Sequence, residues 1–308
     1  QPREHLERVG AREMEVVEPD HQRAIVADAL ENASLVAPEG FATLAAHAEP
    51  PHIGDLYGEG LSGVGVERKV GVALELERVA RSADPRVVSV PYAVYSDGEH
   101  EISIANTAGL KRDYKSNYAV QHVMPLVSEN GQNKSTFNWQ FSREFETLDP
   151  TQTSLEAVRQ SLALLGATMP ASGTYPTVIE NRTMGKLLAS FSPLFSAKLV
   201  QEGKSPLAGK VDQTVGSALV TLRDDATLPG GFHSQPFDAE GFPSAALTLI
   251  QDGVLRGFLH NSETAAKAGT RSTGHASRYG YQGTVSVSPT NLYLEPGSAS
   301  RDALLAKL

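Results

Sequence analysis

Phe237-Asp238-Ala239-Glu240-Gly241, Ser272-Thr273-Gly274-His275-Ala276-Ser277-Arg278 and Ser288-Pro289-Thr290-Asn291-Leu292-Tyr293-Leu294-Glu295-Pro296-Gly297 punctuate one stretch of this 308-residue chain. Between the first two lie Ala245 to Ile250, the dipeptide Asp252-Gly253, and Val254 to His260. An Asp-Gly pair tolerates positive φ between two apolar runs, so this segment predicts a β-hairpin, followed by a short helix over Ser262 to Ala268. Asp238 and Glu240 flank a turn at Gly241. Two such carboxylates either exchange protons with a substrate or accept backbone N–H bonds as turn caps, and capping is the simpler role. Arg278, beyond Gly274 and His275, suits bidentate binding of a carboxylate, either a peptide end or an internal Asp or Glu.

Toward the N-terminus of this stretch, a strand is expected at Ser217 to Leu222, a short strand at Thr177 to Glu180, and a helix from Thr183. Met184, Leu187, Leu188, Phe191 and Phe195 recur at helical spacing as a core-facing stripe, and Ser192-Pro193 marks a break followed by a second helical piece. Met169 to Tyr175 reads as a linker, which places a domain boundary near residue 170. Ahead of it, Asp20 to His47 predicts two helices divided at Gly40 and ended by Pro50 and Pro51. A further helix covers Val66 to Ala83, with Val70, Leu74 and Val79 inward.

The apolar period then changes from helical to alternating. Val87 to Tyr95 and Glu101 to Asn106 predict strands around Asp97-Gly98, and Leu110 to Ser128 and Lys134 to Leu148 predict strands around Asn130-Gly131, a four-stranded antiparallel meander. Tyr114, Ser116, Tyr118 and Val120 alternate with Lys115, Asn117, Ala119 and Gln121, which implies one packed face and one polar face. A helix over Ser154 to Leu165, capped by Thr153 or Ser154, presents Leu155, Val158, Leu162 and Leu165. The expected class is α+β: a helix-plus-antiparallel-meander domain over 1–170, then a β-rich antiparallel domain over 171–308.

Composition narrows the function. Twenty-seven Lys and Arg stand against 36 Asp and Glu, a net charge of −9 with no clustered cations, which disfavours a nucleic-acid partner. There is no cysteine, hence no disulfide, thiolate ligand or cysteine nucleophile. No apolar run is long enough for a membrane span, and the expected compartment is the cytoplasm. Gly58-Glu59-Gly60-Leu61-Ser62-Gly63 satisfies GxGxxG but follows prolines rather than a strand, so it is read as a connector. No GxSxG surrounds a serine. His100-Glu101 is followed by Ile104, and no zinc-peptidase spacing forms.

The ordered pieces Gly203-Lys204-Ser205-Pro206-Leu207-Ala208-Gly209-Lys210, Asp224-Asp225, Asp238-x-Glu240-Gly241, Asp252-Gly253-Val254-Leu255, Thr273-Gly274-x-Ala276-x-Arg278 and Pro289-Thr290-Asn291 resemble the TldD/PmbA family, historically named for modulation of DNA gyrase. The resemblance covers roughly residue 20 onward. It implies a metallopeptidase system in which a zinc-bearing subunit pairs with a related metal-free one. In the zinc-bearing type an HExxxH helix precedes the Gly-Lys-Ser-like element and a later cysteine completes the ligand set. Here, Arg182 through Gln201 contains no His, Asp, Glu or Cys. The resemblance therefore implies the PmbA (TldE) type, with no catalytic residue and no metal ligand of its own and with zinc in the partner.

Its partners would be a zinc-bearing TldD-type paralogue, or a second copy in a homodimer, together with peptide substrates; neither nucleic acid nor membrane is expected. The candidate substrate or structural site comprises Asp238, Glu240, Gly241, Gly274, His275, Arg278 and Asn291, with His275 standing where the family usually has Asn. Two other classes compete: a self-sufficient metallopeptidase built from His233, His260 or His275, and a homo-oligomeric peptide-binding module that pairs peptides along a strand edge. Family members run on past the Asn-x-Tyr element, so the second domain is expected to be incomplete at Leu308.

Overall fold

The computed structural model describes residues 27, 28, 30–32, 34, 35, 49–54, 56–280 and 283–308. The chain divides into two units, 1–42 and 43–308. The helices expected over 20–47, with their break at Gly40, lie largely outside the described residues. Residues 43–308 combine helices with antiparallel sheets, an α+β fold.

After a short helix α1 (Glu59–Ser62) comes α2 (Val66–Ala83), with the expected bounds but a different inward face. Val72, Leu76, Val79 and Ala80 are buried, whereas Val70 and Leu74 are exposed. The buried set follows i, i+4, i+7, i+8, and it faces the sheet that the charged residues avoid.

That sheet is dominated by two long strands, β1 (Val87–Ala105) and β2 (Lys111–Glu129), paired along nearly their whole length. The turn expected at Asp97-Gly98 does not form: Asp97 pairs with Ala119 and Gly98 with Tyr118 inside one continuous strand. Gly98 is there for space. A Cβ at that position would lie 2.9 Å from the Tyr118 ring. The chain reverses instead over Asn106 to Leu110, where Asn106 Oδ1 accepts the N–H groups of Ala108 and Leu110. Asn130 and Gly131, with φ of 50° and 77°, make the expected second turn. β3 (Gln132–Ser135) and β4 (Asn138–Ser142) both pair with β2, which completes four antiparallel strands.

The face expected to be polar is the buried one. Asn117, Ala119, Gln121, Val123 and Val127 are all buried. Asn117 is satisfied by a reciprocal pair of bonds with the Gly58 backbone, at 2.8 and 2.9 Å, and Gln121 donates to Thr153 and Gln140. Polar side chains with backbone partners can line a core, and residue type alone does not reveal such partners.

The helix closing this layer is α3 (Pro150–Ala163), capped by Asp149 rather than Thr153 or Ser154. It buries Thr153, Ser154, Ala157, Val158 and Ser161 and leaves Leu155 exposed. Ser154 donates to the Leu76 carbonyl, so small residues let α3 approach α2 closely.

No strand forms over 177–180. α4 (Asn181–Phe191) has no buried residue, and Leu187 and Phe191 are exposed; of the expected core stripe only Phe195, in the following turn of tight helix (Ser192–Phe195), is buried. α5 (Ala197–Gln201) follows. The second sheet has the order β10-β5-β6-β7, from β5 (Leu222–Asp225), β6 (Ala246–Gln251), β7 (Val254–Leu255) and β10 (Leu292–Leu294), so the strand expected at 217–222 begins where its range ends. Asp252 and Gly253 turn the hairpin at φ of 49° and 78°. α6 (Ser262–Lys267), β8 (Ala276–Ser277), β9 (Ser286–Val287) and α7 (Arg301–Leu305) complete the chain. Phe195, Leu222, Leu249, Leu255, Leu259 and Val287 form the second core.

Candidate functional site

The outer half of the β1–β2 hairpin, beyond Gly98 and Tyr118, forms one wall of the site. Its register sets His100 against Ser116, Ile102 against Tyr114 and Ile104 against Arg112. Strand alternation puts these residues on one face, and that face meets the loops around β8. Tyr114 packs edge-on against Phe237 at 5.1 Å, and buried Arg112 donates to the Gly241 carbonyl at 2.7 Å. Between hairpin and loops lies a cavity of about 980 Å³. Its apolar lining includes Ile102, Ile104, Phe232 and Pro289, and its polar lining includes Arg143, His233, Asp238 and Arg278.

Asp238 is almost fully buried. One carboxylate oxygen accepts the N–H groups of Glu240 and Phe242, and the other that of Ala276. Burial pushes its carboxyl up to about 6, against the opposing pull of those three donors. Glu240 holds the start of α6 instead, accepting from both the N–H and the hydroxyl of Ser262. The two carboxylates thus take the turn and helix-end role. Gly241 and Gly274 have φ of 88° and 74°. A Cβ on Gly274 would lie 2.5 Å from the Pro243 carbonyl oxygen.

His275 is buried within a polar network. Its Nε2 lies 2.8 Å from Asp224 Oδ2 and its Nδ1 2.8 Å from Thr273 Oγ1. Asp224, also fully buried, accepts from the N–H and hydroxyl of Thr290. This network ties β5, β8 and the loop before β10 together. Asn291 continues it: its Oδ1 accepts the His233 N–H, and its Nδ2 donates to the Asp225 carbonyl and to Ser234. Of the candidate residues, Asp238, His275 and Arg278 reach the cavity wall, whereas Glu240, Gly241, Gly274 and Asn291 lie behind it as supports.

Arg278 is exposed and, among the described residues, forms no hydrogen bond or ion pair. Arg143 is the other guanidinium at the cavity. It donates to the carbonyls of Leu56 and Gly231, its Nη1 is buried without a partner, and burial draws it below its ordinary value. Arg143, Phe232, Tyr114 and Thr290 were not among the sequence candidates. The even-numbered alternation from His100 to Ile104 and from Arg112 to Ser116 was the available signal for the hairpin wall.

For a metal, the donor set is poor. Among the described residues no three of His, Cys, Asp and Glu converge in a way that could hold an ion. His233 carries its backbone bond to Asn291, and His260 is buried with an unpartnered Nδ1; burial lowers both imidazoles. α4, which precedes Gly203-Lys204-Ser205, offers only apolar, hydroxyl and cationic side chains between Arg182 and Phe191. These residues do not fit zinc. Among the described residues no helix is long and apolar enough to cross a membrane.

The PmbA/TldA metallopeptidase central domain matches residues 59–165, and the C-terminal domain of the same metallopeptidases matches 172–308. A metalloprotease TldD homolog of Haemophilus influenzae is 28% identical over 252 residues, 79% of this chain and 52% of its own length. Metalloprotease PmbA of Escherichia coli O157:H7 is 22% identical over 214 residues, 69% of this chain and 48% of its own. The chain spans about half the length of these curated relatives.

Among solved structures, a Thermotoga maritima protein described as a modulator of a DNA gyrase superposes with a TM-score of 0.84 at 30% identity, over 92% of this chain and 64% of that one. TldE of Thermococcus kodakarensis shares the fold, with a TM-score of 0.81 at 21% identity over 94% of this chain and 66% of its own.

Proposed function

This chain belongs to the PmbA/TldD metallopeptidase family, and from that premise we propose that it is the metal-free, PmbA (TldE)-type subunit of a two-subunit peptidase. It pairs in the cytoplasm with a zinc-bearing TldD-type paralogue, encloses peptides or unfolded chains, and supports their hydrolysis without a zinc site of its own.

One observation carries this reading. Hydrolysis by zinc needs protein ligands with a free coordination position and a base for the bound water. The segment where the resemblance locates those groups, α4 and the residues after it to the end of α5, supplies none of them from Arg182 through Gln201. The cavity supports the enclosing role: its volume suits a short peptide, and it mixes apolar walls with a few polar groups, as ligand sites do. Asp238, a buried carboxylate on the cavity wall, is occupied by three backbone donors and is better suited to holding the wall than to moving a proton.

Co-expression tests the proposal. This chain and an HExxxH-bearing paralogue should co-purify, and the pair should cleave an unstructured peptide in a chelator-sensitive way, while this chain alone cleaves none. Chelator-sensitive cleavage by this chain alone would overturn the proposal in favour of a self-sufficient enzyme.

A further inference from the structure

We propose that the cavity between the β1–β2 hairpin and the β8 loops selects peptides that carry a carboxylate, with Arg278 as the specificity-determining residue that binds it. This rests on the enclosing role proposed above and adds the chemical class of what is enclosed. Glu101, which also lines the cavity, pairs with Lys115 at 3.4 Å. Asp238 accepts three backbone N–H groups, Glu240 holds Ser262, and Asp224 holds His275 and Thr290. Every carboxylate near the cavity is thus committed to a partner other than Arg278.

Seven other arginines of the fold are held by acids, whereas Arg278, like Arg271 and Arg301, has no acidic partner among the described residues; of these three, Arg278 is the one at the cavity. Arg68, Arg78, Arg81, Arg86, Arg159, Arg223 and Arg256 each have an acidic partner within 3.2 Å. At the cavity, by contrast, Arg278 has no partner among the described residues, and Arg143 has a buried Nη1 without an acceptor. The site therefore carries two guanidinium charges and no free carboxylate. A planar guanidinium binds a carboxylate through two parallel N–H bonds, and apolar walls that exclude water strengthen such a pair. Ile102, Ile104 and Phe232, each at least partly exposed, supply apolar surface for the side chains next to the bound group.

The carboxylate has two possible sources, a peptide C-terminus or an Asp or Glu side chain, and one experiment separates them. Short peptides of Ala, Leu and Ser carry an uncharged dye at the N-terminus and end as the free acid, as the C-terminal amide, or as the amide with one internal Glu. Each is titrated by fluorescence anisotropy into the full chain, as wild type, Arg278→Ala and Arg278→Lys. The free acid, or the Glu-bearing amide, should bind the wild type roughly tenfold more tightly than the plain amide. Arg278→Ala should remove that preference and leave affinity for the plain amide unchanged, while Arg278→Lys keeps part of it. Because Arg278 is exposed and unpaired, circular dichroism of the variants should match the wild type.

Equal binding of all three peptides by the wild type would overturn the carboxylate inference and leave enclosure standing. So would an equal loss for all three in Arg278→Ala. Absence of any peptide binding would overturn both.

Discussion

Asp238 connects local chemistry to a measurable pH response. In an unfolded chain its carboxyl titrates near 3.8, and burial raises it to about 6 in the fold. The native state therefore holds the proton longer than the unfolded one, and the stability from this group is fully present below pH 3.8 and lost as pH rises through 6. The gap corresponds to ~3 kcal/mol at most. Replacement by Asn removes the titration. The urea-unfolding advantage of wild type over Asp238→Asn should accordingly shrink between pH 4 and pH 7, and an advantage that grows over this range would contradict the assignment.

The turn role of Asp238 was legible in the spacing Asp238-x-Glu240-Gly241. The partner of Glu240, Ser262, and the partner of His275, Asp224, were not, because each lies more than twenty positions away in the chain. Nothing in local pattern encodes such pairings.

At the scale of elements, the long hairpin illustrates what period and turn chemistry convey. Asn130-Gly131 and Asp252-Gly253 form turns as expected, whereas Asp97-Gly98 continues a strand. The difference is Tyr118, whose ring crosses over Gly98 from the neighbouring strand. Helices α2 and α3 sit near where expected, yet α2 turns Val72 and Leu76 inward rather than Val70 and Leu74, and α3 packs chiefly through small and hydroxyl residues while Leu155 faces solvent.

Asn117 is the clearest polar anchor, holding both backbone groups of Gly58 from a buried strand position. Asn117→Ala leaves two buried backbone groups unpaired and should cost about 2–4 kcal/mol in urea unfolding. A loss below ~0.5 kcal/mol, the range of an ordinary surface substitution, would mean that water replaces the side chain. The α+β class could be read from the change of apolar period. Which face of each element is buried depended on neighbours brought together only by folding.

For the molecule as a whole, the cavity joins the outer face of a hairpin from the first half of the sequence to loops from the second. Family motifs identified the loops, but no motif marked the hairpin wall, whose residues alternate without unusual composition. The same motifs shape the wall and its supports, so they identify the family more clearly than the activity. The proposed role depends instead on α4, an element without ligand side chains between Arg182 and Phe191, where the resemblance implies the catalytic helix of a zinc-bearing type. On the proposed role, this chain holds no zinc. Elemental analysis of the purified chain, after exposure to a small excess of zinc and desalting, should find well below about 0.1 zinc per chain; a stoichiometric ion retained by the native protein and lost on unfolding would rule out the metal-free role.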